Sequence, residues 1–465
     1  MKTIRLFFMA ALTLMLAACS TSDDELTAPQ PQPAAEGIPF SATVSSSNSP
    51  VTRALTVSGT AIGASWAEGE EVAVIHGGIV DKMTVTSVDG GKATISGTLN
   101  GTPGDGDEVT VIYPYSSVDL TTGDVKADLL SSGVMDGTLE SISTSCDVRK
   151  STGVKLKIDG TTATFSAAAT MKALYCIFKF TIQDLGGSNF TVNSMDVRDA
   201  DGNLLSSAKL SSGASEIYMA LDPTATTVFR FFPTKSGNVK GAGYARASAS
   251  TLAAGAYYES PIKIARVDDY ILKNGSFANG QTNTTPANVV ARITYVGPDA
   301  DTSYPNKYNG IAIALSNATV AEGMSGAIDH FVWCNQGSAK CLTKDLDGIE
   351  NTKALVANTA HNHAAAKAAA AYSVDGFTPS AHGFSDWFLP SYTQYEKSAK
   401  YRSDPILNME KKLGMNGKGC TYWTSTEVDE ANAYILDGYP IMSPEDKTKD
   451  YDSSLKLAVR AAIAF

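Results

Sequence analysis

Short runs of strand-forming residues, separated by turn residues, recur through the first 265 residues of this chain. Glu71–Ile75, Lys92–Ser96 and Glu108–Tyr113 are examples, and Gly, Asp, Asn and Ser separate such runs. Strands spaced by roughly 10 to 20 residues are typical of β-sandwiches. Thirty-nine glycines and only 18% charged residues agree with a β-rich chain. The pattern predicts two consecutive all-β sandwich domains, over residues 37–168 and 169–265, with no helix of convincing length.

The composition changes after residue 265. Val289–Val296 and Tyr308–Leu315 have the character of strands, whereas the alanine-rich stretch Lys353–Tyr372 favours a helix. Ser391 and Gln394 have the spacing of a capping box, which predicts a second helix that runs to about residue 402. Strand-like runs then return. Residues 266–465 are therefore predicted to form an α+β domain, and the whole chain is predicted to be mainly β.

The N-terminus has the features of an export signal. Lys2 and Arg5 precede the apolar run Leu6–Leu16, which is too short for the ~20 residues that cross a bilayer. The sequence Leu16-Ala17-Ala18-Cys19 resembles a bacterial lipobox, in which the cysteine becomes the acylated first residue of the mature protein. We therefore expect a signal peptide over residues 1–18, lipidation of Cys19 and attachment to the outer membrane through this lipid.

Residues 19–36 are rich in Ser, Thr, Asp, Pro, Gln and Ala and predict a disordered tether. Ile38–Val44 follows with the alternation of a half-buried strand, and a Ser/Asn loop leads from it to Arg53. Arg53 is isolated, since no other basic residue occurs between Arg5 and Lys82. A strand on a tether that ends at a lone arginine is a candidate for removal by cleavage between Arg53 and Ala54. The alternative is a permanent edge strand with a surface arginine.

Three phrases in the first half of the chain resemble the fimbrillin family of Bacteroidota pilus proteins. They are Ser65–Val74, which contains a W-x-x-G-E-x-V motif, Lys172–Ile182 and Thr251–Ile264. The resemblance implies two transthyretin-like β-sandwich domains. It also implies that an Arg-specific protease removes the first strand at the cell surface, and that a strand from another pilus subunit then fills the open groove.

Three blocks in the second half carry another resemblance. Gly383–Ser391, Tyr422–Glu427 and the pair Val459-Arg460 are similar to the DUF1566-type domain, which is related to the C-type-lectin and formylglycine-generating-enzyme-like folds. The resemblance implies a lectin-like domain that binds glycan or protein. In such folds the irregular loops form the recognition surface, and here those loops carry four candidate contact residues, Tyr304, Tyr308, Tyr439 and Tyr451.

Catalytic and metal-binding patterns are absent from the sequence, so we predict no enzyme, no cofactor and no metal. Neither an HExxH nor a CxxC motif occurs, and His361 and His363, if helical, would point apart. A calcium site would draw on Asp345, Asp347 and Glu350, which are also explained by a solvated turn before a helix.

Cys334 and Cys341 are spaced so that a disulfide could close a small loop, and a different pairing or two free thiols remain alternatives. Five cysteines remain beside Cys19, so at least one lacks an intramolecular partner.

These features favour a pilus subunit, and in particular a tip adhesin that accepts a strand but has none obvious to donate. It would be exported as an outer-membrane lipoprotein, reach the cell surface and join the fimbrium. The alternative is a surface lipoprotein that does not polymerise and captures glycan or protein. An enzyme of the formylglycine-generating type ranks last. The net charge of −11 and the lack of a basic run argue against nucleic acid as a partner.

Overall fold

The protein is mainly β, as predicted. The computed structural model describes residues 37–46, 56–58, 61–63, 65–226, 228–236, 239–246, 252–280, 287–297, 308–319, 331–335, 347–395, 420–437, 441–448, 451–452 and 455–465.

The first sheet closes on itself through its first strand. The elements of this region are β1 (Ile38–Ser46), β2 (Thr56–Ser58), β3 (Ala61–Gly63), β4 (Glu71–His76), β5 (Ile79–Asp89), β6 (Lys92–Leu99), β7 (Glu108–Tyr113), α1 (Leu139–Ser145), β8 (Arg149–Asp159), β9 (Thr162–Phe165) and β10 (Ala169–Ala173). Eight strands pair in the order β10-β1-β6-β5-β4-β7-β8-β9, with further pairings of β10 with β8 and of β1 with β9. β2 and β3 form a separate hairpin.

The second sheet has seven strands. They are β11 (Cys176–Asp184), β12 (Val192–Arg198), β13 (Leu204–Ala214), β14 (Glu216–Leu221), β15 (Val228–Lys235), β16 (Val239–Arg246) and β17 (Tyr257–Arg266). They pair in the order β13-β12-β15-β16-β17-β11-β14, and β11 and β17 run parallel.

A loop that precedes β8 covers part of this second sheet. Met135, Ile142 and Cys146 pack into the same apolar core as Phe180 of β11. The loop contains α1, a helix of seven residues that the sequence pattern did not indicate. Its N-cap, Thr138, accepts a hydrogen bond from the Ser141 backbone N–H at 3.1 Å, and burial of Ile142 holds the helix in place.

The remaining region combines two five-stranded sheets with short helices. Its elements are β18 (Tyr270–Leu272), β19 (Phe277–Ala278), β20 (Val289–Val296), β21 (Gly310–Ala314), α2 (Gly348–Ala357), α3 (Ala364–Ala370), β22 (Cys420–Glu427), β23 (Asn432–Asp437), β24 (Ile441–Asp446), β25 (Tyr451–Asp452), β26 (Leu455–Ala458) and β27 (Ala462–Ala464). The sheets have the orders β19-β18-β20-β21-β27 and β24-β23-β22-β26-β25. Trp387 and Trp423 lie in their shared core, which also takes in Phe232 of β15.

The prediction of a single helix over Lys353–Tyr372 is wrong. The structure has two shorter helices, because α2 ends at Ala357 and α3 begins at Ala364. Asn358 ends α2 and accepts a hydrogen bond from the Ala360 backbone N–H, a local bond that competes with helix continuation. The capping box is confirmed: Ser391 Oγ accepts from the Gln394 N–H, and Gln394 Oε1 accepts from the Ser391 N–H. The predicted continuation of that helix beyond residue 395 lies outside the described residues.

None of the helices that the structure describes is both long enough and apolar enough to cross a bilayer.

Candidate functional site

β1 is an interior strand, although it is the first described element of the chain. On one side it runs antiparallel to β6, from Ile38 opposite Leu99 to Ser45 opposite Lys92. On the other side it runs parallel to β9 at Phe40 and to β10 from Val44 to Ser46. Because both of its edges are paired, β1 is the strand that closes the first sheet.

The side chains of β1 alternate as the sequence predicts. Phe40, Ala42 and Val44 are buried, with exposures of 3%, 4% and 0%, and the residues between them are exposed. The Phe40 ring meets the Phe165 ring edge-on, with the ring centroids 5.1 Å apart. Full burial of an apolar side chain stabilises a fold by about 1.5–3 kcal/mol for Val or Phe, so these residues hold β1 in place together with its backbone ladders.

The groove that β1 occupies has apolar walls. β6 contributes the buried Ala93, Ile95 and Leu99, and the opposite wall has the buried Ala163, Ala169 and Met171. Opposite Phe40 stands Gly97, where a Cβ would lie only 2.6 Å from Met83 Sδ. A side chain at residue 97 would therefore have to displace Met83.

The side-chain hydrogen bonds of Ser41 and Ser45 lie away from the buried face of β1. Ser41 Oγ lies 3.1 Å from Ser96 Oγ on the exposed face, and Ser45 Oγ donates to the Ala169 carbonyl at 3.4 Å. The groove thus selects for backbone geometry and for an alternation of apolar side chains, rather than for particular polar groups.

Most of the site residues predicted from the sequence lie outside the described part of the chain. These are Cys19, Arg53, Ala54, Tyr304, Cys341 and Tyr439. Arg53 falls in sequence between the end of β1 and the start of β2. Cys334 is buried, and its pairing with Cys341 stays a prediction. Tyr451 lies on β25, opposite Lys456 of β26.

Tyr308 is half-buried at a cavity of about 300 Å³ where the second sheet meets the C-terminal region. Burial raises the pKa of its hydroxyl; the Lys353 ammonium opposes this shift and the Asp386 carboxylate adds to it. Arg230 and Phe384 also line the cavity, and neither was among the site residues predicted from the sequence. The sequence does single out Arg230, because a charged residue interrupts the apolar run Val228–Phe232 there.

His361 and His363 were expected to be helical. They lie instead in the connection between α2 and α3. Their rings are 6.3 Å apart between centroids. Burial lowers the pKa of His363 to about 4, and the positive charges of His361, Lys447 and Lys367 act in the same direction. Within the described residues, no group of three or more His, Cys, Asp or Glu side chains is placed to hold a metal ion.

The residues considered for calcium have structural roles where they are described. Asp347 is the N-cap of α2 and accepts a hydrogen bond from the Glu350 N–H at 3.0 Å. Glu350 itself pairs with Lys353 at 2.7 Å. Asp345 lies outside the described residues.

Comparisons with known proteins give no family assignment. No family model matches the chain, and no curated protein sequence matches it. A fimbrial protein from Bacteroides ovatus is similar at 16% identity, over 92% of this chain and 99% of that chain, with a TM-score of 0.29. A putative cell adhesion protein from Bacteroides uniformis has 14% identity over 49% and 93% of the two chains, with a TM-score of 0.26.

A shaft pilin from Lactobacillus rhamnosus has 10% identity over 50% of this chain and 98% of that chain, with a TM-score of 0.21. TM-scores of this size do not establish a shared fold, and each of these names describes that protein alone. The fimbrillin-like and lectin-like assignments therefore rest on the sequence motifs.

Proposed function

We propose that this protein is a surface-fibre subunit that exchanges its first strand for a strand of another subunit. In this proposal the chain is exported as a lipoprotein anchored at Cys19. An Arg-specific protease then cleaves between Arg53 and Ala54 and releases β1. The groove between β6 and the β9–β10 wall accepts the incoming strand, and the C-terminal region binds glycan or protein.

The observation that carries the proposal is the position of β1. The strand closes the first sheet, is paired on both edges and buries three side chains, yet its only continuous connection to the rest of the fold is through residues 47–55. Cutting one peptide bond at Arg53 would turn β1 into a separate peptide that is held only by non-covalent contacts.

Loss of β1 would create a strong acceptor. The backbone groups of β6 and of the opposite wall would lose their partners, and the apolar walls would meet water. An extended segment with the same alternation would recover both the hydrogen bonds and the burial. An acceptor that is stable only when filled favours assembly of subunits over free monomers.

The tip position that we propose requires that β27 is not a donor strand. β27 pairs with β21, and the Ala462 N–H and carbonyl also bond with Phe388 on its other side, at 2.9 Å each. All three of its residues are buried. A strand that is bonded on both sides in its own domain is not placed to be donated to a neighbour.

Limited proteolysis followed by complementation tests the proposal. The full folded chain is treated with an Arg-specific protease, and the new N-terminus is determined by sequencing. We expect Ala54. The cleaved protein is then offered a labelled peptide of residues 37–46 after mild denaturant has removed its own strand, and we expect binding that the uncut protein does not show.

Arg53→Lys is the matched control, since it keeps the charge but removes the protease site. A peptide with Phe40→Asp controls for burial and should not bind. A folded chain that stays uncut at Arg53, or a cleaved chain that never takes up the peptide, would contradict strand exchange.

A non-polymerising surface lipoprotein is the second candidate. It is favoured by the eight antiparallel pairs that already hold β1 against β6, because such a ladder suits a permanent strand. In that case the uncut chain would be the mature form, and it would not copurify with fibres.

A further inference from the structure

The cavity beside Tyr308 is built by two parts of the molecule. The second sheet supplies Val228 and Arg230 of β15, with Ala200 from the turn after β12. The C-terminal region supplies most of the remaining lining, including Gly275, Phe277, Asn309, His382, Phe384 and Phe465. The volume of about 300 Å³ lies at the lower end of the range for small-molecule sites, which suits one ring-sized ligand.

One side of the cavity is aromatic. Phe277 lies 6.2 Å from Phe384 and 5.3 Å from Phe465, measured between ring centroids. The exposed His382 ring is 6.0 Å from Phe384. His382 packs so closely on Gly275 that a Cβ there would meet its ring at 2.3 Å, so the glycine sets the position of this wall. Flat ring surfaces of this kind pack well against the face of another ring.

The other side carries a positive charge that is held in place. Arg230 is only 2% exposed, and its Nε donates to Asn309 Oδ1 at 2.6 Å. Its guanidinium also lies 5.3 Å from the centre of the Phe232 ring. No lining residue in the described part of the chain is Asp or Glu, so the lining favours a negative ligand and disfavours a cation.

We propose that this cavity binds a small ring-shaped carboxylate, with its ring against the Phe384 and His382 wall and its carboxylate towards Arg230. An acidic sugar at the end of a glycan and a free aromatic acid share this chemistry. Arginine recognises carboxylates through charge-assisted hydrogen bonds that are stronger than neutral ones. The inference rests on the ligand-binding half of the proposed function and is independent of cleavage at Arg53.

Calorimetric titration of the uncut, full-length protein tests it with matched ligands. Glucuronate and glucose differ only in that glucuronate has a carboxylate. Sialic acid represents the acidic sugar of a glycan, and benzoate represents a free aromatic acid. We expect at least one of the three carboxylates to bind about tenfold or more tightly than glucose. Tighter binding of the sugar acids identifies a glycan as the source, and tighter binding of benzoate identifies an aromatic acid.

Three variants connect the binding to the cavity. His382→Ala and Phe384→Leu should weaken the carboxylate about tenfold or more, and Arg230→Met should abolish the preference over the neutral sugar. Tyr115→Ala, at a separate cleft in the first region, is the control and should change nothing. Circular dichroism confirms that each variant is folded, and His382→Ala is the informative one if Arg230→Met does not fold, because His382 is exposed.

The proposal is overturned if no carboxylate binds at millimolar concentration, if glucose binds as tightly as each of the three carboxylates, or if His382→Ala and Phe384→Leu both leave the affinity unchanged. Because the uncut chain is used, these outcomes are independent of whether Arg53 is a processing site.

Discussion

The closing strand of the first sheet and the last strand of the C-terminal region are held by different means. β1 buries one face, through Phe40, Ala42 and Val44, and exposes the other. β27 has every residue buried, and its neighbours on both sides are fixed parts of the same domain. β1 is held by an alternation of apolar and polar residues that many sequences can supply. β27 is enclosed by the rest of the C-terminal region.

The two cores differ in the same way. The core beneath β1 is apolar, and the buried pairs of the first region, His76 with Asp81 and Arg149 with Asp147, do not involve β1. The C-terminal core contains Lys447, which is fully buried and paired with Glu427. Apolar burial is non-directional, so a replacement strand can restore it, but a buried ion pair needs its own partner. This contrast agrees with the proposal that strand exchange takes place in the first region.

The largest expected effect comes from breaking the buried pair of Lys447 and Glu427 in the C-terminal region. Lys447 Nζ also donates to the carbonyls of Asp429 and Glu430, at 2.7 and 3.1 Å, and lies 4.9 Å from the centre of the Trp333 ring. Lys447→Met leaves Glu427 buried without this cation and should lower the free energy of unfolding by about 4 kcal/mol. Urea denaturation followed by tryptophan fluorescence measures the loss.

Lys82→Met is the matched control, because Lys82 pairs with Glu71 on the exposed surface of the first region. It should change stability little. The double variant Lys447→Met with Glu427→Gln should recover part of the loss. An equal effect of the two single lysine substitutions would remove the contrast between the regions.

A smaller effect is expected at β1. Phe40→Ala removes a ring that packs on Phe165 and should cost about 3 kcal/mol, because it leaves a cavity in the apolar groove. Thermal unfolding of the uncut chain, together with peptide uptake by the cleaved chain, measures it. Ser41→Ala, on the exposed face of the same strand, should stay within about 0.5 kcal/mol. Equal costs for the two faces would show that side-chain burial does not retain β1.

A still smaller effect is expected from pH, and it concerns the stability of the C-terminal region alone. Burial lowers the pKa of His363 to about 4, below its ordinary value of 6.5, so the unfolded chain binds a proton at a higher pH than the folded chain. The stability that neutral His363 contributes is therefore fully present above about pH 7, and it falls by about 2 kcal/mol as the pH decreases to 5.

Urea midpoints measured across this window for wild type and His363→Asn test the sign. The variant should lose the slope that the histidine contributes. If both proteins lose stability equally between pH 7 and pH 5, His363 is not the group responsible.

Local features of the fold could be predicted from the sequence. The alternation in Ile38–Val44 identified both the strand and its buried face, and the runs at residues 71–75, 92–96 and 108–113 correspond to β4, β6 and β7. Trp387 and Trp423 are buried, as is usual for such large aromatic side chains. Each of these features depends on residue periodicity or hydrophobicity within about ten residues, which a single sequence displays.

Long-range features could not be predicted in this way. The pairing of β1 with β9 and β10 joins Phe40 to Ala163 and Val44 to Ala169, and nothing near either residue encodes it. The lining of the cavity comes from positions between 200 and 465, so Arg230 and Phe384 meet only after folding. The alanine-rich helix was overestimated because helix propensity is a weak guide where Asn and His residues offer the backbone other hydrogen bonds.

The smallest expected effect concerns Asp347, where the sequence left a calcium ligand and a turn before a helix as alternatives. The structure places its side chain as the N-cap of α2, in a buried position that raises its pKa.

Asp347→Ala should cost about 1 kcal/mol, since the Glu350 N–H loses its acceptor. Asp347→Asn keeps an acceptor without the cost of burying a charge and should be neutral or slightly stabilising. Thermal unfolding with and without calcium distinguishes the two roles, because a calcium ligand would make the wild type, but not Asp347→Ala, gain stability from the ion. A capping role predicts that calcium stabilises neither protein. The C-terminal region would then be stabilised by its own polar contacts, whereas the closing strand of the first region depends on apolar burial.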